Sequence, residues 1–306
     1  MIEHLIPVLA GTLAAATPLI FAGLGELVAE RTGVINLGVE GMMLIGAVAG
    51  FAAAAHSDGG ALAGLPAGAV AGMLAALIFA ILSLSMAANQ AACGLALTIF
   101  GIGLSAFIGQ HYVSYSLPGL PPLDIPGLSE IPVIGRILFH QDAVTYLGLV
   151  TFVGVWWVLK KTRLGLVLKA VGEAPDAAHA IGYPVIAIRY GATLFGGAMA
   201  GIAGAYLSTV YTPLWVQNMV AGRGWIAIAL VVFAAWNPTR LLLGAWLFGG
   251  VTILQFHAQG LGIALPVQFL AALPYLATVV VLVLISRDKR LLQLNLPASL
   301  GKPWMP

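Results

Sequence analysis

The sequence predicts an all-α polytopic membrane protein with about nine transmembrane helices, and three observations support this. Of the 306 residues, 60% are hydrophobic and only 8% are charged, whereas about a quarter of the residues of a soluble domain are charged. Nine apolar runs approach the roughly 20 residues that a helix needs to cross a bilayer. The basic residues are unevenly shared between the segments that separate these runs. No soluble domain is inserted, so residues 1–306 are interpreted as one transmembrane domain.

Short polar segments separate most of the apolar runs. No Lys or Arg precedes Arg31, so the first run lacks the basic region of a signal peptide and is expected to remain as a membrane helix. The boundary between the first two runs, within 26–33, is poorly defined by hydropathy. The runs cover residues 5–25, 33–55, 62–86, 91–110, 143–159, 190–212, 219–236, 240–257 and 263–286.

Orientation follows from the basic residues. Nine helices would place only Arg136 and Arg223 on one side of the membrane. The opposite side collects the other eleven, and basic loops stay in the cytoplasm. The sequence therefore predicts an external N-terminus and a cytoplasmic tail at 287–306. The eleven are Arg31, Lys160, Lys161, Arg163, Lys169, Arg189, Arg240, Arg287, Lys289, Arg290 and Lys302.

Residues 111–142 are the predicted external loop, and prolines set its character. Proline at this density prevents a long helix but allows a short interfacial one. The loop is interpreted either as a cover over the outer vestibule or as a docking face for an extracytoplasmic partner. The prolines are Pro118, Pro121, Pro122, Pro126 and Pro132.

The longest polar and basic interruption, residues 160–189, is the predicted cytoplasmic loop, and it contains a short helix. Pro175 suits the first helical position, with acidic residues beside it at the positive end of the helix dipole. Gly182 can close the helix, and Pro184 prevents its continuation. A helix this short must lie against something. It either rests on its own protein's helices or contacts a cytoplasmic partner.

A second polar stretch, residues 26–43, opens the second apolar run. Asn36 and Glu40 are four residues apart and would share one face of a helix. A carboxylate at membrane depth is unfavourable unless it is paired or faces water. Glu40 is interpreted either as lining a permeation path or as bonding a neighbouring backbone or Arg31. Further candidates for the path are Asn89, Gln90, Gln217 and Asn218.

Several motifs for chemistry are missing from the sequence. It has no phosphate-binding loop of the type Gly-xxxx-Gly-Lys-Ser/Thr and no His-Glu-xx-His pair. The single Cys93 excludes a disulfide framework and a cysteine-based metal site. The chain is thus expected to be a conduit without catalytic residues.

Small residues recur at four-residue spacing, a pattern that lets membrane helices approach closely. The pattern predicts tight packing, within one subunit or between subunits. It includes Gly64, Gly68 and Gly72, Gly197 and Gly201, and Ala200 and Gly204.

Two stretches, residues 30–46 and 169–182, resemble the permeases of bacterial ABC importers. The resembling branch is shared by ribose-type sugar, branched-chain amino acid and nucleoside systems. The first stretch is most similar to the nucleoside (basic membrane protein-associated) permeases. A mild departure is Glu173-Ala-Pro, where many relatives carry Asn-Pro.

The resemblance implies nucleoside import by alternating access in the bacterial inner (plasma) membrane. It also implies a cytoplasmic ATPase subunit, a second permease (paralogue or copy), an extracytoplasmic substrate-binding protein and membrane lipid as partners, and no nucleic acid. This chain would hold no cofactor, because ATP and Mg would bind the ATPase. The residues that would couple to the ATPase are Gly172, Glu173, Ala174, Pro175, Asp176, Ala177, Ala178 and Gly182.

Other functions compete with this interpretation. Ribose-like sugars are the alternative substrate, since nucleosides contain a pentose. A secondary transporter would use Glu40 as a proton relay and need no ATPase. An intramembrane enzyme or an assembly scaffold would show no transport.

Overall fold

The computed structural model describes residues 2–57, 60–260 and 295–305, and single positions between 269 and 279. These residues are mostly helical, with one two-stranded antiparallel ladder. The elements are α1 (Ile2–Arg31), α2 (Val39–Ala55), α3 (Gly60–Ala80), a π-helical turn (Ile81–Ser85), α4 (Gln90–Gly109), a 3-10 turn (Gln110–Tyr112), β1 (Leu123–Asp124), α5 (Ile134–Leu138), β2 (His140–Gln141), α6 (Ala143–Lys161), α7 (Arg163–Glu173), α8 (Pro175–Ala180), α9 (Val185–Tyr206), a second π-helical turn (Leu207–Tyr211), α10 (Arg223–Phe233) and α11 (Pro238–Gly260).

The predicted class of polytopic helical membrane protein is confirmed. Among the described residues, six helices are long and apolar enough to cross a membrane, and α2 and α10 are shorter apolar helices. The ninth run, 263–286, lies outside the described residues, so nine spans and their orientation stay a prediction. The six are Ile6–Arg31, Gly60–Ser85, Gln90–Tyr112, Ala143–Lys161, Val185–Tyr211 and Pro238–Gly260.

Two predicted boundaries were wrong. α1 continues to Arg31 instead of ending near residue 25, because Glu26 and Glu30 find polar partners inside the protein. The run at 219–236 contains only the 11-residue α10. Left-handed backbone at Gly222 precedes this helix and at Ala235 follows it, and these turns set its length.

The centre of the bundle is a close packing of α2, α3 and α9 through glycine. A Cβ on Gly201 would overlap the carbonyl of Gly68, and one on Gly204 would overlap the carbonyl of Met43. These helices therefore touch backbone to backbone, which only glycine permits. The predicted small-residue packing is confirmed, and it lies within the chain.

The 111–142 segment folds without a long helix, as its prolines predict. β1 pairs with β2, and His140 contacts Asp124 at 2.5 Å across the ladder. The amide of Gln141 donates to the carbonyl of Ala10 at 3.2 Å, which ties the segment to α1. Whether a partner docks on this segment stays a prediction.

Candidate functional site

A helical arm, α7 and α8, follows the membrane helix α6. Thr162 ends α6 and caps α7 by accepting the N–H of Gly165 at 3.3 Å. α8 begins at Pro175, and Gly182 (φ +94°) takes the left-handed conformation just after its end. The predicted short helix is confirmed, with both ends set by the residues that predicted them.

α8 has one buried and one exposed side. Ala178 is only 2% exposed and packs with Val171 and Val185, while Ile181, just past the helix, is 73% exposed. The helix is therefore held by one side and free on the other. Of the predicted coupling residues, Gly172, Pro175 and Ala178 are buried, Glu173 is half-buried, and Ala174, Asp176, Ala177 and Gly182 are exposed.

The C-terminal strap, residues 297–305, holds the arm. The backbone N–H and the hydroxyl of Ser299 both donate to the carbonyl of Gly172, at 3.0 and 2.7 Å. The indole N–H of Trp304 donates to Asp176 Oδ1 at 2.7 Å, and its ring packs edge-on to His179. The strap therefore holds the start and the middle of the segment that was predicted to couple.

Arg189, in the first turns of α9, joins the strap to the corner between α1 and α2. Its buried guanidinium donates from Nε to the carbonyl of Thr32 at 3.0 Å and from Nη2 to Ser299 Oγ at 3.0 Å. Gly301 N–H donates to the carbonyl of Gly33. Sequence reasoning counted Arg189 only as a basic loop residue. Two features of the sequence could have indicated these contacts: an arginine at the start of an apolar helix, and a tryptophan in a polar tail.

The α1–α2 corner, residues 32–38, carries a second network. Glu26 Oε1 accepts the backbone N–H of Asn36 at 3.0 Å. Glu30 Oε2 accepts the indole N–H of Trp236 at 2.6 Å, and Arg31 donates to the carbonyl of Trp236 at 2.7 Å. Both glutamates are buried. These bonds attach the end of α1 to the turn after α10, and sequence reasoning missed them.

Asn36 and Glu40 do not share a helix face, which corrects the prediction. α2 begins only at Val39, and Asn36 Oδ1 accepts the N–H of Gly38 at 2.9 Å in the turn before it. The turn is favoured because a short amide side chain can bond its own backbone two residues on. Asn36 therefore shapes the corner.

Glu40 binds the N-terminus of α10. Its two oxygens accept the backbone N–H groups of Gly222 and Gly224 at 2.8 and 2.7 Å. A carboxylate is favoured there because the first N–H groups of a helix lack internal partners and carry partial positive charge. Glu40 thus bonds a neighbouring backbone, as in the helix-contact interpretation, and the permeation-path role stays a prediction.

The four amide candidates lie in different places. Asn89 caps α4 by accepting the N–H of Ala92, and buried Gln90 accepts the N–H of Ile35 at 2.9 Å. Both therefore support local structure. Gln217 and Asn218 are exposed in the irregular segment that leads into α10.

This entry segment, residues 212–222, begins beside the 111–142 segment, where the N–H of Leu117 donates to the carbonyl of Pro213 at 2.9 Å. α10 has 11 residues, so it is about 16 Å long, roughly half of the 30 Å hydrocarbon core. The turn after α10 bonds the end of α1, and its start bonds Glu40 in the first turn of α2. Asn218 and Ala221 have positive φ, and irregular backbone in a membrane protein is tolerated where protein buries it or where it lines a water-filled cavity.

Comparison with known proteins gives the family. The family model described as "Branched-chain amino acid transport system / permease component" matches residues 8–286. A protein provisionally named as a glucose ABC transporter permease, from Haloferax volcanii, is 42% identical over 89% of each chain. A nucleoside ABC transporter permease of Lactococcus lactis is 33% identical over 90% of this chain and 91% of its own. A guanosine ABC transporter permease of Bacillus subtilis is 32% identical over 92% of each chain.

The match covers most of the sequence and agrees with the two motifs at 30–46 and 169–182. The chain therefore belongs to this permease family: it is the membrane component of an ABC transporter and not an enzyme.

Proposed function

We propose that this chain is a permease subunit of an ATP-driven nucleoside importer in the plasma membrane, with α8 as its contact to the ATPase. Family membership implies an ATPase and a substrate-binding protein. The observation that carries the proposal is the geometry of α8, which is fixed by its buried side and by the strap and leaves Ala177 and Ile181 free. A second permease would complete the pore.

A continuous set of contacts connects α8 to the start of α10. A displacement of α8 acts on the strap through Asp176 and Gly172. The strap and Arg189 act on the α1–α2 corner. The corner leads into α2, whose Glu40 holds the start of α10. Rigid-body motion along this route would expose the central site to each side in turn.

The entry segment is the proposed site of permeation. Gln217 and Asn218 are exposed amides just before the start of the 11-residue α10, and transporters bind substrate at discontinuous helices of this type. Amides can both donate to and accept from ribose hydroxyls and base edges.

Nucleosides are the proposed substrate, because the motif at 30–46 resembles the nucleoside branch and two nucleoside permeases align over at least 90% of this chain. Simple sugars are the second candidate, favoured by the 42% identity to the glucose-type relative. A pentose is part of a nucleoside and is itself a simple sugar, so it would bind in part to a site for either substrate.

The test is uptake by the whole complex. The chain would be co-purified with its ATPase, second permease and binding protein, and reconstituted in vesicles with ATP supplied on the ATPase side. Labelled guanosine should accumulate only with ATP, and excess unlabelled nucleoside should compete better than ribose or glucose. Preferential competition by sugar would select the second candidate, and uptake driven by a proton gradient alone would contradict the ABC mechanism.

The orientation has its own test. Cys93 is the only cysteine, so its replacement gives a background for single cysteines at Ala177 and Gly119. A membrane-impermeant thiol reagent should label Gly119→Cys in intact cells and Ala177→Cys only after permeabilisation. The reverse pattern would invert the proposed topology.

A further inference from the structure

An apolar cleft of about 540 Å³ separates the arm from the membrane helices. Its walls come from α1, α6, α7 and α9, with Val28, Leu159, Leu168 and Phe195 among the lining residues. Thr151 is the one residue of the lining with a polar side chain. A cleft of this composition in a membrane protein accepts hydrocarbon, because polar solutes would lose their hydrogen bonds there.

The cleft has the depth of one membrane leaflet. Its lining on α6 begins at Thr151, and α6 ends at Lys161. Ten residues of helix rise about 15 Å, which is half of the roughly 30 Å hydrocarbon core. In the membrane placement that the family implies, the cleft would run from near mid-membrane to the basic surface.

Three cations lie where the cleft meets that surface. Lys160, Lys161 and Arg163 are exposed at the α6–α7 junction, next to the lining residues Leu159 and Leu164. Among the described residues, no carboxylate oxygen lies within 4 Å of the charged nitrogens of these three side chains. Arg and Lys bind phosphate strongly, and basic clusters at a membrane surface attract anionic lipids.

We propose that the cleft is a binding site for an anionic phospholipid of the adjoining leaflet. One acyl chain occupies the cleft, and the headgroup phosphate lies against Lys160, Lys161 and Arg163. The lipid then contacts both the membrane helices and α7, so it fills the space between the bundle and the arm that carries α8. The proposal requires that this chain lies in a membrane, as expected for its family, and it does not depend on which substrate the chain transports.

Two glycines allow the cleft to be filled selectively. A Cβ on Gly154 or Gly191, both lining residues, would meet no atom within 4 Å. Gly154→Leu therefore adds bulk to the cleft from a position whose Cβ has open space around it. Gly103→Leu is the matched control, because Gly103 is also exposed on a membrane helix with open space at its Cβ, but outside the cleft.

The experiment is native mass spectrometry of the full-length chain from nanodiscs of equal phosphatidylglycerol and phosphatidylethanolamine. The wild-type chain and Gly103→Leu should retain one phosphatidylglycerol, and Gly154→Leu should retain about tenfold less, since losing the acyl contacts removes more than 1.4 kcal/mol. A circular dichroism spectrum confirms that each variant is folded.

Replacing the three cations separates the contribution of the lipid headgroup from that of the acyl chain. Lys160→Gln/Lys161→Gln/Arg163→Gln should keep a bound lipid but reduce the preference for phosphatidylglycerol at least about tenfold, whereas Arg240→Gln should not. Three results would each overturn the proposal. The first is equal retention of both lipids by the wild-type chain, and the second is unchanged retention in Gly154→Leu. The third is a wild-type chain that retains no lipid, as expected if another part of the protein occupies the cleft.

Discussion

α8 and α10 are both too short to span a membrane, yet they are held in opposite ways. α8 has six residues and one free side, and the strap holds it through the exposed carboxylate of Asp176 and through the carbonyl of Gly172 at the end of α7. α10 has 11 residues, and the buried carboxylate of Glu40 binds its N-terminus. The first is exposed on one side, and the second is fixed inside the bundle.

The difference shows what a short helix needs at each location. At the surface, local end signals and a few side-chain contacts suffice because water satisfies the remaining polar groups. Inside the bundle, unpaired N–H groups are expensive, so α10 requires an acceptor from another helix. Substitutions on the exposed side of α8 should therefore impair coupling to the ATPase with little loss of stability. Substitutions at Glu40 should instead lower the stability of the protein with less effect on coupling.

The largest expected effect is on transport, at Ala177. Ala177→Asp places a charge on the exposed side of α8, and burying it unpaired against the ATPase should reduce ATP-driven uptake at least roughly tenfold. ATPase activity should become independent of substrate, while the thermal midpoint of the permease stays within experimental error. Ala187→Asp, also exposed near the start of α9, is the control. Wild-type uptake in Ala177→Asp would contradict the coupling role.

Glu40 should give the largest loss of stability. Glu40→Ala leaves the N–H groups of Gly222 and Gly224 without their acceptor, which should lower the free energy of unfolding by about 3 kcal/mol. Glu40→Gln keeps one acceptor oxygen and should lose less. Thermal unfolding in detergent measures both, with exposed Glu130→Ala as the control. A midpoint for Glu40→Ala equal to that of Glu130→Ala would show that this contact does not hold α10.

Asn218 separates backbone from side-chain roles in the entry segment. Glycine accepts its positive φ, so Asn218→Gly should fold normally. Loss of one hydrogen bond to substrate, about 1 kcal/mol, should still reduce uptake about fivefold. Asn218→Asp, which tolerates the same backbone and keeps an acceptor, should reduce it less. Unchanged uptake in Asn218→Gly would remove Asn218 from the permeation path.

The smallest effect is expected at the strap. Trp304→Ala removes the bond to Asp176 and the ring contact with His179, and it should destabilise the arm by about 1 kcal/mol. Hydrogen exchange over residues 172–180 should accelerate about fivefold, without a change in the rest of the protein. Met305→Ala, whose side chain is 64% exposed, should leave exchange unchanged. Equal protection in the two variants would mean that the strap does not hold the arm.

Local signals in the sequence were sufficient where short-range physics decides the structure. Hydropathy located the long helices, Pro175 and Gly182 bounded α8, and the glycine spacing predicted the close helix packing. Each of these features depends on residues within one or two helical turns. The resemblance at 30–46 and 169–182 added the family, which the family match confirms.

Only the tertiary structure decided the contacts between distant residues. Glu40 lies 184 residues from Gly224, and Asp176 lies 128 residues from Trp304. No local pattern announces such a pair, because the donor belongs to one segment and the acceptor to another. The end of α1, the length of α10 and the anchoring of α8 follow from these contacts. The sequence alone therefore determined a helical permease, and the fold determined which of its polar groups hold the helices together.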